Sequence, residues 1–244
     1  MRAMIFAAGM GTRLKPLTDH MPKALVPVGG KPLLDIQIEK LKAAGCTDIV
    51  VNIHHFADQI EQHVQAHDWG VNIQLSDERA ALLDTGGGLK KAATLFQADD
   101  SPILIHNVDI LSNANLKALY ALGQKHDAVV LVSQRQTQRY LLFNEQSQLV
   151  GWTHIGTGEV RTPFKQLEVE RCRKLAFAGI HVFSPKLFAE MQAWPDKFSI
   201  IDFYLSMCAQ YDIYGCFDES LQLLDVGKQD TLKIAEDFVR KLQH

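Results

Sequence analysis

The sequence predicts an α/β fold, a mixed and mostly parallel sheet flanked by helices, on three observations. Short apolar or β-branched runs alternate with amphipathic segments from residue 3 to residue 133, the rhythm of a βα repeat. The 244 residues, 47% apolar and 22% charged, suit one large domain with a sizeable core. After Ser133 the rhythm changes to a hairpin pattern, then returns to strand and helix.

In chain order, Ala3 to Ala7 reads as a strand. Leu33 to Ala44 reads as a helix stopped by Gly45, "DIVVNI" (Asp48 to Ile53) as a strand, and Ala57 to Val64 as a helix. "VNIQL" (Val71 to Leu75) predicts a strand, Leu89 to Phe96 a helix, "PILIHN" (Pro102 to Asn107) a strand, Leu116 to Gln124 a helix and "AVVLVS" (Ala128 to Ser133) a strand. "YLLFNEQSQLVGW" (Tyr140 to Trp152) predicts a hairpin turning at Asn144 to Ser147, followed by a Gly/Thr-rich loop. A strand at Leu175 to Phe183, helices near Pro185 to Met191 and Ile200 to Ala209, a strand at Ile213 to Phe217, the run "LQLLDVG" and a closing helix from Gln229 to Leu242 complete the chain. No repeat or low-complexity linker interrupts it, so residues 1–244 are expected to form a single domain with an inserted hairpin region.

Net charge is −3 and the pI about 6.4, with acids and bases interspersed, so a nucleic-acid partner is not expected. Cys46, Cys172, Cys208 and Cys216 lack metal-type spacing and read as reduced thiols. The start carries too short an apolar run for a signal peptide, and no segment reaches membrane-span length, so the expected location is cytoplasmic, without a membrane partner.

Between the first strand and the first helix lies "FAAGMGTRLKPLTDHMPKALVPVGG". Loops of roughly two dozen residues inside compact domains are usually functional or disordered, and this composition favours function. Pro16, Pro22, Pro27 and Pro32 stiffen it. Gly9 and Gly11 let backbone N–H groups approach an anion, and Arg13, Lys15 and Lys23 bring cations to the same mouth. In an open α/β sheet that mouth lies at the carboxyl ends of the strands. The loop has no G-K-[ST] and no G-x-G-x-x-G, so neither a P-loop nor a dinucleotide fingerprint is present.

The stretch "AAGMGTRLKPLTDHMPKALVPVGGKPLL" resembles the signature of the sugar-1-phosphate nucleotidylyltransferases, G-x-G-[ST]-R-[LM]-x-P-L-T followed by P-K-x-L-x-P-V and K-P. The resemblance implies a Rossmann-like (GT-A-like) fold in which residues 1–133 bind a nucleoside triphosphate and residues 134–244 a sugar 1-phosphate. It implies a magnesium-dependent condensation that releases pyrophosphate. Such a reaction needs no side-chain nucleophile, because the attacking phosphate oxygen is already an anion; positioning and charge neutralisation are the protein's task. No Ser/His/Asp or Cys/His constellation is evident in the sequence.

The same resemblance assigns roles. Arg13 would hold the β- and γ-phosphates and Lys23 the meeting phosphates, while Ala8, Gly9, Gly11 and Thr12 would line the nucleotide. Asp109, in "PILIHNVD", and Asp225, in "LLDVG", would be the magnesium ligands. Val108 stands where the family writes glycine, which narrows the backbone's approach there. "LLDTGGGLKKAA" resembles the family's T-[AG]-G element, with Thr85, Gly86 and Gly87 facing base and ribose; read from the residues alone it is equally a capped helix entry. Glu78 could accept from uracil N3–H or from guanine N1–H and N2–H. Gly179, in "AFAGIHVF", would let the sugar lie on the backbone, and Asp202 is either an acceptor contact or a helix-surface carboxylate.

The "AAG" and T-G-G-G elements resemble uridylyl members acting on N-acetylmuramate 1-phosphate, so UTP with an N-acetylated amino-sugar 1-phosphate is the expected pair, and GTP with mannose 1-phosphate the alternative. From other classes, a glycosyltransferase would normally show D-x-D where this chain has Asn107-Val108-Asp109, and a sensor need not keep Lys23 with Asp109 and Asp225. His54 and His55 lack ligand-spaced partners, and Trp69, Trp152 and Trp194 read as packing residues.

Overall fold

The computed structural model describes residues 1–96 and 99–242. Strand β1 (Arg2–Phe6) is buried throughout, and its side chains go alternately to two apolar clusters: Ala3 and Ile5 to one, Met4 and Phe6 to the other. Burial on both faces is why the run is continuously apolar. After the opening loop come the two-residue strands β2 (Pro27–Val28) and β3 (Lys31–Pro32), then α1 (Leu33–Ala43), β4 (Asp48–Ile53), α2 (Ala57–Gln65), β5 (Asn72–Asp77), α3 (Asp84–Ala92), β6 (Ile103–Asn107), β7 (Ile110–Ser112), α4 (Leu116–Gly123) and β8 (Ala128–Ser133). The second half contains β9 (Arg139–Phe143), β10 (Leu149–His154), β11 (Glu159–Arg161), β12 (Arg173–Phe183), α5 (Phe188–Met191), α6 (Ile200–Met207), β13 (Ile213–Phe217), β14 (Leu223–Asp225) and α7 (Gln229–Leu242).

β1 lies between β4 and β6, parallel to both, with β5 outside β4. Phe6, Asn52 and Asn107 therefore stand level across three strands, and the chain beyond each of them emerges on one edge of the sheet. β12 runs antiparallel between β6 and β8, and β13 extends the sheet parallel to β8. The arrangement is the expected mixed, mostly parallel sheet. Helices α1, α2, α4 and α7 pack one cluster against it, and α3, α5 and α6 the other.

β12 belongs to two sheets in turn. Its last residues pair with β6, whereas Arg173 to Leu175 pair with β9, carrying the β9–β10–β11 meander on its other end. The register shift between Phe177 and His181 contains Gly179 at φ +76°, a conformation only glycine adopts cheaply.

The third helix departs from expectation. It starts at Asp84 and takes the glycines into its first turns, ending at Ala92 before a 3-10 turn at Ala93–Leu95. Helix-interior glycine costs about 1 kcal/mol relative to alanine. Here packing explains it: a Cβ on Gly86 would lie 2.3 Å from the Phe198 ring and one on Gly87 2.0 Å from the Asp196 carbonyl oxygen. The backbone N–H groups of both glycines donate to the Phe198 carbonyl.

Candidate active site

The opening loop is folded rather than extended. Three 3-10 turns, Thr12–Leu14, Leu17–Asp19 and Lys23–Leu25, succeed one another, and Leu14, Thr18, Lys23 and Ala24 are buried. Gly11, at φ +62°, brings the chain back on itself: its absent Cβ would lie 2.8 Å from Thr18 Cγ2 and 3.1 Å from Lys23 Cβ. Thr18 Oγ1 donates to the Gly11 carbonyl (2.8 Å), and Gln229 of α7 donates to the Lys15 carbonyl (2.5 Å), so both ends of the chain hold the loop.

The loop roofs a cleft of about 590 Å³ at the carboxyl edge of the sheet. Ala8, Gly9, Gly11, Thr12, Arg13, Lys23, Glu78, Thr85 and Asp109 line it. Lys15 does not; it pairs with Asp19 on the surface at 2.9 Å. Lys23 is 8% exposed and its ammonium is ion-paired with Asp109. A buried charge is tolerated only with such a partner, and both members of the pair line the cleft.

Asp225 comes to the same place through pairing not foreseen from the sequence. β14 runs antiparallel to β7 with Asp225 opposite Ile110, and the Val226 N–H donates to the Asp109 carbonyl (2.9 Å). Asp225 Oδ1 is buried without a hydrogen-bond partner. A Cβ on Gly227 would lie 2.7 Å from that oxygen and 2.8 Å from Arg13 Nη2, so glycine keeps open the space between carboxylate and guanidinium. Two carboxylates, one with an unpartnered buried oxygen, beside an open anion site fit a hard divalent cation that takes its other ligands from phosphate and water. Among the described residues no group of three or more His, Cys, Asp or Glu side chains could hold a metal by itself.

Glu78 is fully buried at the cleft wall, and burial raises its pKa above the ordinary glutamate value although Asn52 and the Leu83 N–H donate to it. Asn52 was not expected. Its amide donates to Glu78 (2.7 Å) while its carbonyl oxygen accepts from the N–H groups of Ala7 (2.7 Å) and Ala8 (3.3 Å), tying the residue after β5 to the start of the loop. The signal was a lone amide at the end of a buried strand, "DIVVNI". Val108 is held by its N–H to the Phe6 carbonyl (3.1 Å) and by Gln37, which donates to the Val108 (3.4 Å) and Ile110 (2.9 Å) carbonyls.

Other predicted positions are distributed differently. Thr85 lines the cleft, yet its hydroxyl accepts from the Ile200 N–H (2.9 Å). Gly86 and Gly87 are taken up by packing on residues 196–198; of this group only Gly88 faces the cleft wall, 2.7 Å from Glu78 Oε1 if it had a Cβ. Gly179 sits behind Asn107 and lines neither cavity of the site; a Cβ there would lie 2.9 Å from Asn107 Nδ2. Asp202 accepts from Arg161 (2.7 Å) and lines a second cavity of about 760 Å³ that meets the first at Asp84.

That second cavity is built on the meander. Arg139, His154 and Glu159 form one cross-strand row on a face of β9, β10 and β11, and Leu141, Trp152 and Arg161 form the next. Arg161 lies 4.3 Å from the centre of the Trp152 ring. Trp152 packs against the second apolar cluster, as expected, and also carries the Arg161 guanidinium on its ring; the period-2 alternation "RYLLF…GWTH…EVR" was the signal for this face.

A cleft holding a buried lysine paired with a carboxylate, meeting a second cavity at Asp84, agrees with what sequence comparison finds. The nucleotidyl transferase family model matches residues 2–241. An N-acetylmuramate α-1-phosphate uridylyltransferase of Caulobacter vibrioides is 33% identical over 226 residues, covering 90% of this chain and 89% of that protein. A mannose-1-phosphate guanyltransferase of Gibberella zeae is 30% identical over 80% of this chain but only 52% of its own length. The fold is shared with HddC of Yersinia pseudotuberculosis, solved with GMP-PN, at TM-score 0.75 and 21% identity over 97% of this chain and 98% of that one. The chain belongs to the nucleotidyl transferase family and is an enzyme of the sugar-1-phosphate nucleotidyltransferase class.

Proposed function

We propose that the protein condenses UTP with an N-acetylated amino-sugar 1-phosphate, N-acetylmuramate 1-phosphate being the favoured acceptor, to give a UDP-sugar and pyrophosphate. The observation that carries this reading is the Lys23–Asp109 pair in the first cavity, with Arg13 and the unpartnered Asp225 oxygen beside it. In it, residues 1–133 hold the nucleotide and residues 134–244 the acceptor. An acceptor phosphate oxygen attacks the α-phosphorus in line; the new O–P bond forms as the α–β bridging bond breaks, and pyrophosphate carries away the electron pair. Lys23 leaves Asp109 to grip the meeting phosphates, and Arg13 holds the departing pair with its fork of donors. Asp109 and Asp225 would hold a divalent cation, magnesium in our reading, whose charge offsets that of the phosphates. Asn52 keeps the Ala7 and Ala8 N–H groups oriented, and Glu78 accepts from the base.

A second reading, GTP with mannose 1-phosphate, is favoured by the Gibberella zeae relative and by the ability of Glu78 to accept two donors from guanine. Pyrophosphate release with magnesium, measured for UTP, GTP, CTP, ATP and dTTP against N-acetylmuramate, N-acetylglucosamine, glucose and mannose 1-phosphates, decides between them. Release with UTP and N-acetylmuramate 1-phosphate is expected; release only with GTP and mannose 1-phosphate would replace the proposal by the second reading.

A further inference from the structure

The second cavity is unusual in which of its charges are already spent. Arg135, Arg139 and Arg161 line it, against Asp84, Glu159 and Asp202. Two of these carboxylates lie on one guanidinium: Arg161 pairs with Asp202 of α6 at 2.7 Å and lies 4.0 Å from Glu159 of the meander, while its flat face is occupied by Trp152. Asp84 accepts from the Thr85 N–H at 2.6 Å. Arg135 donates to a neutral acceptor, the Phe177 carbonyl, at 3.2 Å. Arg139 has no side-chain partner among the described residues. Two guanidinium groups without a carboxylate therefore face this space, and His154, whose Nδ1 accepts from the Thr157 N–H (3.2 Å), stands opposite Arg139 on the neighbouring strand.

These cations are not arranged for the acceptor's phosphate. That group must reach the α-phosphorus beside Lys23, and none of the three arginines lines the cleft that contains Lys23. We infer that Arg139, with Arg135 lining the same cavity, is the specificity-determining cation for a second anionic group on the acceptor, a carboxylate carried by the sugar at the end away from its 1-phosphate. The inference rests on the proposed reaction. It adds that the meander, rather than the nucleotide cleft, separates a carboxylated amino sugar from its neutral counterpart. Loss of a charge-assisted hydrogen bond of about 1.5–3 kcal/mol corresponds to about 10- to 100-fold in affinity.

The test compares N-acetylmuramate 1-phosphate with N-acetylglucosamine 1-phosphate, the same ring without the carboxylate, in pyrophosphate-release kinetics with UTP and magnesium. For Arg139→Gln, KM for the carboxylated acceptor should rise about 10- to 100-fold, with KM for the neutral acceptor and for UTP and the melting temperature unchanged. Arg139→Lys should recover part of the preference. Arg171→Gln, which removes an arginine outside both cavities, should change nothing. Equal losses on both acceptors, or no loss on either, overturn the inference while leaving the reaction standing. A wild-type enzyme that uses both acceptors equally also overturns it. If no N-acetyl amino-sugar 1-phosphate is used with any triphosphate, the proposed acceptor class fails and the inference falls with it.

Discussion

The two cavities hold their charges differently. In the first, Lys23 and Asp109 are nearly out of water and their surroundings are main chain and strand ends. In the second, Arg161 and Asp202 are each about two-fifths exposed, 40% and 42%, and one wall consists of side chains on alternate positions of a meander. In the proposed reaction the buried pair would be poised: a triphosphate would take Lys23, and a cation Asp109, without either charge being left alone. The exposed pair is weakly coupled to stability and is free to vary with the acceptor. In the proposed reaction the common chemistry would sit in the first cleft and discrimination in the second cavity.

The largest expected effect tests the rigid side. Lys23→Ala should lower single-turnover rate by about 10²- to 10³-fold, as removal of a preorganised electrostatic group does. Lys15→Ala, at a surface pair, should stay within about twofold. Equal effects would remove Lys23 from the reaction. Next in size, Asp109→Asn and Asp225→Asn should each reduce turnover by about 10²-fold at saturating magnesium, a loss typical of removing a preorganised charged group. Only Asp109→Asn should also lower the melting temperature strongly, since it leaves a buried ammonium unpaired. Retained activity in both variants would sink the cation site.

Asn52→Ala should be intermediate. It leaves two N–H groups and the Glu78 carboxylate short of partners, at about 1–3 kcal/mol for each buried group left unsatisfied, so KM for the triphosphate should rise about tenfold and acceptor KM should not move. Glu78 then supplies a pH signature. Burial raises its pKa in the folded protein, so its favourable contribution to stability is full below the unfolded value and is lost as pH rises through the folded value. Base recognition has the opposite sign, because an ionised carboxylate is the stronger acceptor for the N–H of the base. Triphosphate affinity, titrated calorimetrically from pH 4.5 upward, should increase through this range, and Glu78→Gln should flatten the rise.

The same contrast explains what could be read from the amino-acid sequence. The opening loop is contiguous, so its glycines, prolines, Arg13 and Lys23 appear in order in one stretch, and the βα repeat announces the sheet edge they occupy. Asp225 was legible only as a residue type after an apolar run; its meeting with Asp109 depends on two three-residue strands pairing across more than a hundred positions. The triple glycine misled because helix entry and close packing ask for the same residue, and only the ring of Phe198 shows which applies. The arginine cavity was legible only as a period-2 alternation on strands read as a hairpin insertion; that Arg139, Arg161 and Asp202 share one space depends on pairing across β9, β10 and β11 and on α6.

The smallest expected effect is also the one whose sign is most informative. Asp202 was expected from the sequence either to touch the sugar or to be a helix-surface carboxylate, and the structure shows it spent on Arg161. Because that pair is half exposed, Asp202→Asn should change stability by less than about 1 kcal/mol. It removes the negative charge closest to Arg161, so the potential in the cavity becomes more positive, and KM for an anionic acceptor should fall by about two- to threefold, in keeping with an exposed interaction of under about 1 kcal/mol. For a neutral acceptor KM should stay the same, and raising the salt concentration should erase the gain, since exposed charges are screened. A rise in KM for both acceptors would instead mean that Asp202 accepts a sugar hydroxyl directly. The open cavity would then recognise the ring as well as its charge, and the division between a chemical cleft and a discriminating one would have to be redrawn along α6 rather than along the meander.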